Sequence, residues 1–227
     1  MTYRALVLFD IDGTLVRRAG PHHREALARG ILRVTGLSTT TDGIPVQGML
    51  DPDIVAVMLR RAGFPRARIC EAIPEIQRAA ERYYLRVCPP LAHVHCPGVE
   101  PLLARLERRG ILLGLVTGNL TRIGWRKLER AGLSRYFTFG AFGEMAKTRA
   151  GLVKLAIAEA RRNGWIARAT PISLVGDAPQ DILAARHNGI HSIAVQTGIT
   201  PPADLAAQSP NILLKDLRAL RLRMVEA

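Results

Sequence analysis

The chain has 227 residues, and 32 lysines and arginines against 19 acidic residues give it a formal net charge of +13. Its 48% of apolar and 22% of charged residues are typical of a folded globular protein, which excludes a disordered, collagen-like or coiled-coil chain. Apolar runs such as 111–116 span only six residues, whereas a membrane helix needs roughly 20. We therefore expect a globular protein with no membrane partner.

The basic charge is spread along the chain, because 28 of the 32 basic residues are arginines that occur as scattered pairs. Such a charge is typical of nucleic-acid binders, but it equally suits a small anionic substrate, and a codon bias towards arginine would also produce it. The first residues resemble no secretory signal. Three cysteines, an odd number, predict free thiols in a reducing compartment. We therefore expect a cytoplasmic protein.

Short apolar runs along the chain predict the strands of a buried parallel sheet. They cover residues 4–9, 111–116, 172–175, 192–195 and 212–214. Segments with helical spacing lie between or before these runs, at residues 99–109, 122–131, 149–162 and 181–188. This alternation of strand and helix predicts an α/β fold with a doubly wound parallel sheet.

Residues 16–96 interrupt that alternation. They contain three helical patterns, at 23–35, 53–62 and 68–87, with no convincing buried strand among them. The sequence therefore predicts a discontinuous core, formed by residues 1–15 and 97–227, and a helical domain of residues 16–96 inserted after the first strand. We expect the hinges near Val16 and Cys96.

Polar residues cluster at the ends of three predicted strands. The first strand ends in Asp10-Ile11-Asp12-Gly13-Thr14, the second in Thr117-Gly118-Asn119, and a later one in Gly176-Asp177 with Asp181 four residues on. In an open α/β sheet, ligands bind beyond the carboxyl ends of the strands. We expect these residues to meet in one site.

These motifs, taken together, resemble those of the haloacid dehalogenase (HAD) superfamily of hydrolases. Gly48-x-x-Asp51-Pro52 and the stretches 115–120 and 135–143 are similar to a phosphoglycolate-phosphatase-like branch with an α-helical cap. The resemblance covers nearly the whole chain. It implies a Rossmann-like core, a magnesium ion, and phosphoryl transfer through an aspartyl-phosphate.

The residues fit this chemistry in a consistent way. Asp10 would be the nucleophile, because a carboxylate can carry the phosphoryl group and later release it to water. Asp12, two residues on, would serve as general acid and then base. In the superfamily, members that cleave carbon–halogen or carbon–phosphorus bonds lack an Asp there, so its presence favours a phosphatase or a phosphomutase.

A divalent cation would resolve the repulsion among the converging carboxylates. Mg²⁺ prefers hard oxygen ligands, which suits Asp10, Asp177 and the backbone carbonyl of Asp12. Asp181 would be either a further ligand or a partner of the ligands. No thiolate or imidazole lies among them in the motifs, which makes zinc unfavourable.

The phosphate would contact the Thr117 hydroxyl and the backbone N–H groups of Gly118 and Asn119 at the start of a helix. The family usually supplies a lysine, commonly followed by proline, to neutralise the phosphoryl group, and this chain has no Lys-Pro there. The branch it resembles would place the cation at Arg149. Lys147 is the rival.

Substrate selection should come from the inserted helices. Arg17, His23 and Asp51 are the candidate substrate contacts, although Arg17, Arg18, His22, His23 and Arg24 together would also suit a solvated helix start. The branch more often reads Gly-Arg-Thr-Asp where this chain has Gly48-Met49-Leu50-Asp51. The loss of the charged position predicts a larger or more apolar ester than phosphoglycolate.

The leading hypothesis is a Mg²⁺-dependent phosphatase acting on a small phosphorylated metabolite. A phosphomutase of the β-phosphoglucomutase type keeps the same two aspartates and is the alternative within enzymes. A non-catalytic or nucleic-acid-binding module is the third reading, which no helix-turn-helix, zinc-finger or RNP signature supports. The sequence does not predict the oligomeric state.

Overall fold

The computed structural model describes residues 2–17 and 20–226, so Arg18 lies outside the described residues. Six parallel strands form one sheet in the order β3-β2-β1-β4-β5-β6. The strands are β1 (Leu6–Phe9), β2 (Leu112–Val116), β3 (Phe139–Ala141), β4 (Ile172–Gly176), β5 (His191–Val195) and β6 (Ile212–Leu214). Every residue of β1, β2 and β4 is buried, as expected for parallel strands covered on both faces, whereas the edge strand β6 buries only Leu214.

Helices connect the strands and confirm the predicted α/β fold. They are α4 (Val99–Arg108), α5 (Thr121–Ala131), α6 (Arg149–Arg162), α7 (Pro179–His187) and α8 (Pro202–Ala207). Strand β3 and helix α8 were not predicted. β3 has only three residues with a glycine in the middle, and α8 has only six, so neither produces a periodic signal long enough to recognise.

Three helices follow β1 before the chain returns to the sheet: α1 (His22–Thr35), α2 (Asp51–Arg61) and α3 (Ile69–Val87). We refer to residues 20–95 as the α1–α3 segment. Within it the structure shows no strand, which agrees with the predicted helical insertion. That these residues form a domain of their own stays a prediction.

The two connections of the α1–α3 segment lie side by side. Val16 and His95 form an antiparallel bridge. On either side of it, the Arg17 N–H donates to the Val94 carbonyl at 2.7 Å and the Cys96 N–H donates to the Leu15 carbonyl at 3.0 Å. The chain therefore leaves and re-enters the core at one place.

Helices α1 and α3 pack against each other through apolar side chains. Ile76, Ala80 and Tyr84 recur every four residues along α3, and all three are fully buried, because this spacing places them on one face of the helix. Among the described residues, no helix is long and apolar enough to cross a membrane.

Candidate active site

The carboxyl ends of three neighbouring strands bring the sequence motifs together. Asp10 follows β1, and its N–H extends the sheet by donating to the Val175 carbonyl at 3.0 Å. Thr117 follows β2 and Asp177 follows β4, on the two sides of β1. The Rossmann-like order of the strands therefore places these residues at one edge of the sheet.

Asp10, Asp177 and Asp181 form what we call the core acidic cluster. Each offers a carboxylate oxygen, and these oxygens lie within 4.8 Å of one another. All three side chains are buried. Gly13, with a φ of 83°, lies so close to the Asp177 carboxylate that a Cβ would overlap it, so only glycine fits this turn.

The electrostatics of the cluster indicate surplus negative charge. Burial, together with the charges of Asp10 and Asp181, raises the pKa of Asp177 well above its ordinary value. Burial also raises the pKa of Asp181 to about 6, against the lowering effect of Arg149. A cluster of hard oxygen donors with excess charge fits Mg²⁺ and does not fit a metal that prefers sulfur or nitrogen.

Asp181 is already engaged by the protein. Its Oδ1 accepts a 2.6 Å bond from Arg149 Nε, and its Oδ2 accepts a 3.1 Å bond from the Ala178 N–H. The sequence left two roles open for Asp181, a metal ligand or a partner of the metal ligands. These two hydrogen bonds favour the second role.

Arg149 and Lys147, the two candidate cations, lie in different environments. Arg149 is buried, and its Nη2 lies 2.8 Å from Asp10 Oδ1. Lys147 is exposed and does not line the cavity. Thr148 explains the difference, because its side chain caps helix α6 by accepting the Gly151 N–H, and the chain then turns Arg149 inward as the first residue of the helix.

Asp12 is held by a lysine that sequence reasoning missed. Lys127 is fully buried, and its Nζ donates to both Asp12 carboxylate oxygens at 2.7 and 2.6 Å and to Asn119 Oδ1 at 2.6 Å. It also lies 3.1 Å from His23 Nδ1. A signal was present in the sequence, because Lys127 is on the same face of α5 as the buried Ile123 and Leu128.

The ion pair with Lys127 sets the charge state of Asp12. Burial by itself raises the pKa of the Asp12 carboxyl, but the charge of Lys127 and the hydrogen bonds from Lys127 and Asn119 outweigh it. The net effect lowers the pKa below its ordinary value of 3.8. Asp12 is therefore ionised at neutral pH.

His23 and Asp51 extend this contact into the α1–α3 segment. His23 Nε2 lies 2.8 Å from Asp51 Oδ2, and the same oxygen accepts the Leu120 N–H at 2.8 Å. Since Nδ1 faces the Lys127 ammonium, Nε2 carries the proton and donates to Asp51. We refer to Asp12, Lys127, Asn119, His23 and Asp51 as the Lys127 network.

This geometry changes the interpretation of Asp51. We predicted a contact with the substrate, but Asp51 is buried and is bonded to Leu120 and His23. Its backbone N–H also donates to the Gly118 carbonyl at 2.8 Å. The structure therefore gives Asp51 a place in the contact between the α1–α3 segment and the core.

The first turn of helix α5 is bonded within the protein, whereas the contact of a phosphate with the Gly118 and Asn119 N–H groups stays a prediction. Three N–H groups donate to acidic side chains: that of Leu120 to Asp51, that of Thr121 to Glu144 and that of Arg122 to Glu81. An incoming phosphate therefore does not meet these N–H groups. Thr117, by contrast, is buried beside the cavity, and its Oγ1 accepts from Asn119 Nδ2 at 2.7 Å, so its hydroxyl proton is directed elsewhere.

A cavity of about 500 Å³ lies between the sheet edge and the α1–α3 segment. Asp10, Asp12, Thr117 and Arg149 line it, with Gly118, Asn119, Asp177, His23 and Asp51. Gln47 from the α1–α3 segment reaches across and donates to Asp177 Oδ2 at 3.2 Å and to Thr200 Oγ1 at 2.5 Å. Arg17 is exposed and does not line the cavity, which disagrees with its predicted contact with the substrate.

The fold and this site define a hydrolase of a known family. Residues 5–189 match the model of the haloacid dehalogenase-like hydrolases, and the chain belongs to that family. Its relatives are phosphatases, and the chain is an enzyme of the phosphatase class.

Two curated relatives and one solved structure illustrate the similarity. A phosphoglycolate phosphatase of Cupriavidus necator, described as plasmid-borne, is 32% identical over 94% of this chain and 90% of its own. The phosphoglycolate phosphatase of Agrobacterium fabrum is 29% identical over 97% of this chain and 92% of its own. CbbY from Rhodobacter sphaeroides, solved in complex with xylulose-(1,5)bisphosphate, has a TM-score of 0.76 at 20% identity and covers 100% of both chains.

Proposed function

We propose that this chain hydrolyses a small organic phosphate monoester, with Mg²⁺ as cofactor, through an aspartyl-phosphate on Asp10. The observation that carries the proposal is the arrangement around Asp10. A buried carboxylate at the end of β1 faces the cavity, paired with Arg149 and close to Asp177 and Asp181, while Asp12 lies two residues away.

The first half of the reaction forms the phosphoenzyme. A carboxylate oxygen of Asp10 attacks phosphorus in line with the ester oxygen, and the bond between phosphorus and that oxygen breaks. Arg149 and the Thr117 hydroxyl bind the phosphoryl oxygens. Asp12, which is ionised in the resting enzyme, takes up a proton from solvent before this step and gives it to the departing alkoxide, which leaves as a neutral alcohol.

The second half regenerates the enzyme. Asp12, now ionised, takes a proton from a water molecule that attacks phosphorus, so the bond to Asp10 breaks and inorganic phosphate is released. The core acidic cluster, with Asp10 and Asp177 as ligands, would hold Mg²⁺, which neutralises phosphoryl charge when bound. Lys127 and Asn119 hold the Asp12 carboxylate between these two proton transfers.

The decisive experiment combines turnover with detection of the intermediate. With Mg²⁺, the protein should release phosphate from an activated aryl phosphate, and acid quenching should trap one phosphoryl group on the peptide that contains Asp10. Asp10→Asn should lose both signals while keeping its thermal unfolding transition. Turnover at the wild-type rate in this variant would falsify the assignment of the nucleophile.

Metal binding has a readout that does not depend on activity. Mg²⁺ should raise the unfolding temperature of the wild-type protein in a concentration-dependent way, because a ligand that binds only the folded state stabilises it. Asp177→Asn should weaken that response. An equal response in both proteins would remove Asp177 from the metal site.

Product analysis separates hydrolysis from the phosphomutase alternative. A phosphatase converts a sugar phosphate into free sugar and inorganic phosphate in equal amounts. A phosphomutase instead returns an isomerised sugar phosphate and releases little phosphate.

A further inference from the structure

We infer that the alcohol part of the ester bound in this cavity has an apolar body and carries no second anionic group next to the phosphate. The inference rests on the proposed phosphatase function and names the substrate class of the same site. Two observations support it: the buried cations of the cavity are paired with protein groups, and part of the cavity wall is apolar.

The two buried cations that line the cavity are already neutralised by protein groups. Arg149 is paired with Asp10 and Asp181, and its buried Nη2, which has no hydrogen-bond partner among the described residues, is the donor that the proposed function assigns to the phosphoryl oxygens. The Lys127 ammonium has three N–H donors, and these are directed at Asp12, Asn119 and His23. Neither side chain has a free charge for a second anion.

His23 offers no substitute for such a cation. One ring nitrogen faces the Lys127 ammonium and the other is bonded to Asp51, so both are used within the protein. Of the described residues that line the cavity, the remaining cation is Arg24, whose side chain is exposed at the start of α1. Beyond Arg149, which is assigned to the phosphoryl group itself, the next positive charge is therefore at the exposed Arg24.

Part of the cavity wall is apolar. The α1–α3 segment contributes Leu27, Val46, Met49 and Ile54 to it, next to the polar Thr41 and Gln47, and the core contributes Ile199. Leu27 and Ile54 are buried, while Ile199 is 74% exposed at the edge of the cavity. A hydrocarbon body on the substrate would cover the half-buried Val46 and Met49 and the exposed Ile199, and so remove apolar surface from water.

A short substrate with a second carboxylate meets unfavourable conditions here. Its charge would lie near the carboxylates of Asp12 and Asp51 and against the apolar wall, and it would lose water without gaining a cation. The volume points the same way, because about 500 Å³ falls within the range of roughly 300–1,000 Å³ of pockets that hold drug-sized ligands. A two-carbon alcohol would leave much of it unfilled.

A homologous series of alkyl phosphates tests the inference on the wild-type protein. Ethyl, propyl and butyl phosphate have leaving groups of similar reactivity but differ in apolar surface. With Mg²⁺, kcat/KM should rise up to about fourfold with each added methylene, the factor that corresponds to full burial of one CH₂ group. Butyl phosphate should exceed phosphoglycolate by at least about tenfold. A flat series, or phosphoglycolate as the better substrate, would overturn the inference.

A variant pair locates the effect at the apolar wall. Met49→Lys places a cation there and should shift the ratio of kcat/KM for phosphoglycolate over butyl phosphate upward by about tenfold, whereas Met49→Leu, a neutral replacement of similar size, should keep the wild-type ratio. An unchanged ratio in Met49→Lys contradicts the placement of the alcohol against this wall.

Acetyl phosphate, a small activated substrate, separates failure of this inference from failure of the proposed function. If phosphate is released from acetyl phosphate but kcat/KM does not rise along the alkyl phosphate series, only the inferred substrate class is contradicted. Absence of release from every compound sinks the phosphatase proposal itself.

Discussion

The two polar clusters that face the cavity are built in different ways. The core acidic cluster takes its three residues from the ends of β1 and β4 and the start of α7, all in the core, and the α1–α3 segment adds only the hydrogen bond from Gln47 to Asp177. The Lys127 network combines Asp12, Asn119 and Lys127 of the core with His23 and Asp51 of the α1–α3 segment. We therefore expect the nucleophile to be positioned before substrate binds, whereas the setting of Asp12 depends on how the α1–α3 segment rests on the core.

Arg149 provides the largest expected effect, because it is the cation of the core acidic cluster. Arg149→Met should lower kcat roughly 10²–10³-fold, the cost of removing one buried electrostatic contact to a transition state. Lys147→Met should change kcat less than about twofold, since Lys147 is exposed. Steady-state kinetics of both variants checks this ranking, and the reverse order would move the role to Lys147.

Lys127 tests the second cluster. Lys127→Met leaves the Asp12 carboxylate without its ion pair, and we expect kcat to fall roughly 10–100-fold because the proton-transfer group loses its orientation. Unfolding free energy should fall by about 2–3 kcal/mol, less than for a fully buried pair, because the Asp12 side chain is 42% exposed. Kinetics and denaturant unfolding at pH 7 measure the two effects.

The loss of unfolding free energy in Lys127→Met should depend on pH in a definite direction. The pKa of Asp12 is lowered in the folded protein, so its ion pair contributes stability above the ordinary pKa of 3.8 and loses it as the pH falls through the lowered pKa. The difference in unfolding free energy between wild type and Lys127→Met should therefore shrink below pH 3.8. A difference that stays constant down to the acid transition would contradict the assignment.

Substitution of Asp51 tests the contact between the α1–α3 segment and the core. Asp51→Ala removes the acceptor for the Leu120 N–H and for His23, and should cost about 1–2 kcal/mol of stability, as loss of a helix cap does. Asp53→Ala is a matched control, because Asp53 is exposed on the same turn of α2. Equal losses in the two variants would deny Asp51 this role.

Arg17 should give the smallest effect. Its side chain is exposed and lies away from the cavity wall, so Arg17→Ala should change kcat/KM less than about twofold, and only at low salt, where exposed charges are least screened. Arg24→Ala, at the mouth of the cavity, should change it more. Measurements at two salt concentrations compare the variants.

The sequence predicted what short-range patterns encode. Helix α6 begins at Arg149 and ends at Arg162, as its apolar spacing indicated, and the apolar runs marked five of the six strands. Asp10, Thr117 and Asp177 could be placed together because parallel strands end at one edge of a sheet.

The Lys127 network could not be derived in this way. Lys127 and Asp12 are 115 positions apart, and their contact depends on how α5 packs beneath the loop after β1. The bonds from the first N–H groups of α5 to Asp51, Glu81 and Glu144 likewise follow from tertiary packing. A charged residue on the buried face of an amphipathic helix was the available signal, because such a charge requires a partner.

From the close approach of Gly118 to the α1–α3 segment, we expect a limit on how water enters the cavity. A Cβ at Gly118 would overlap the Met49 carbonyl, so the two backbones meet only because residue 118 has no side chain. A methyl group there would prop the segment away from the sheet edge and admit solvent. In the proposed mechanism, the phosphoryl group would then meet bulk water, and its lifetime on Asp10 would depend on the entry of water instead of on proton transfer to Asp12.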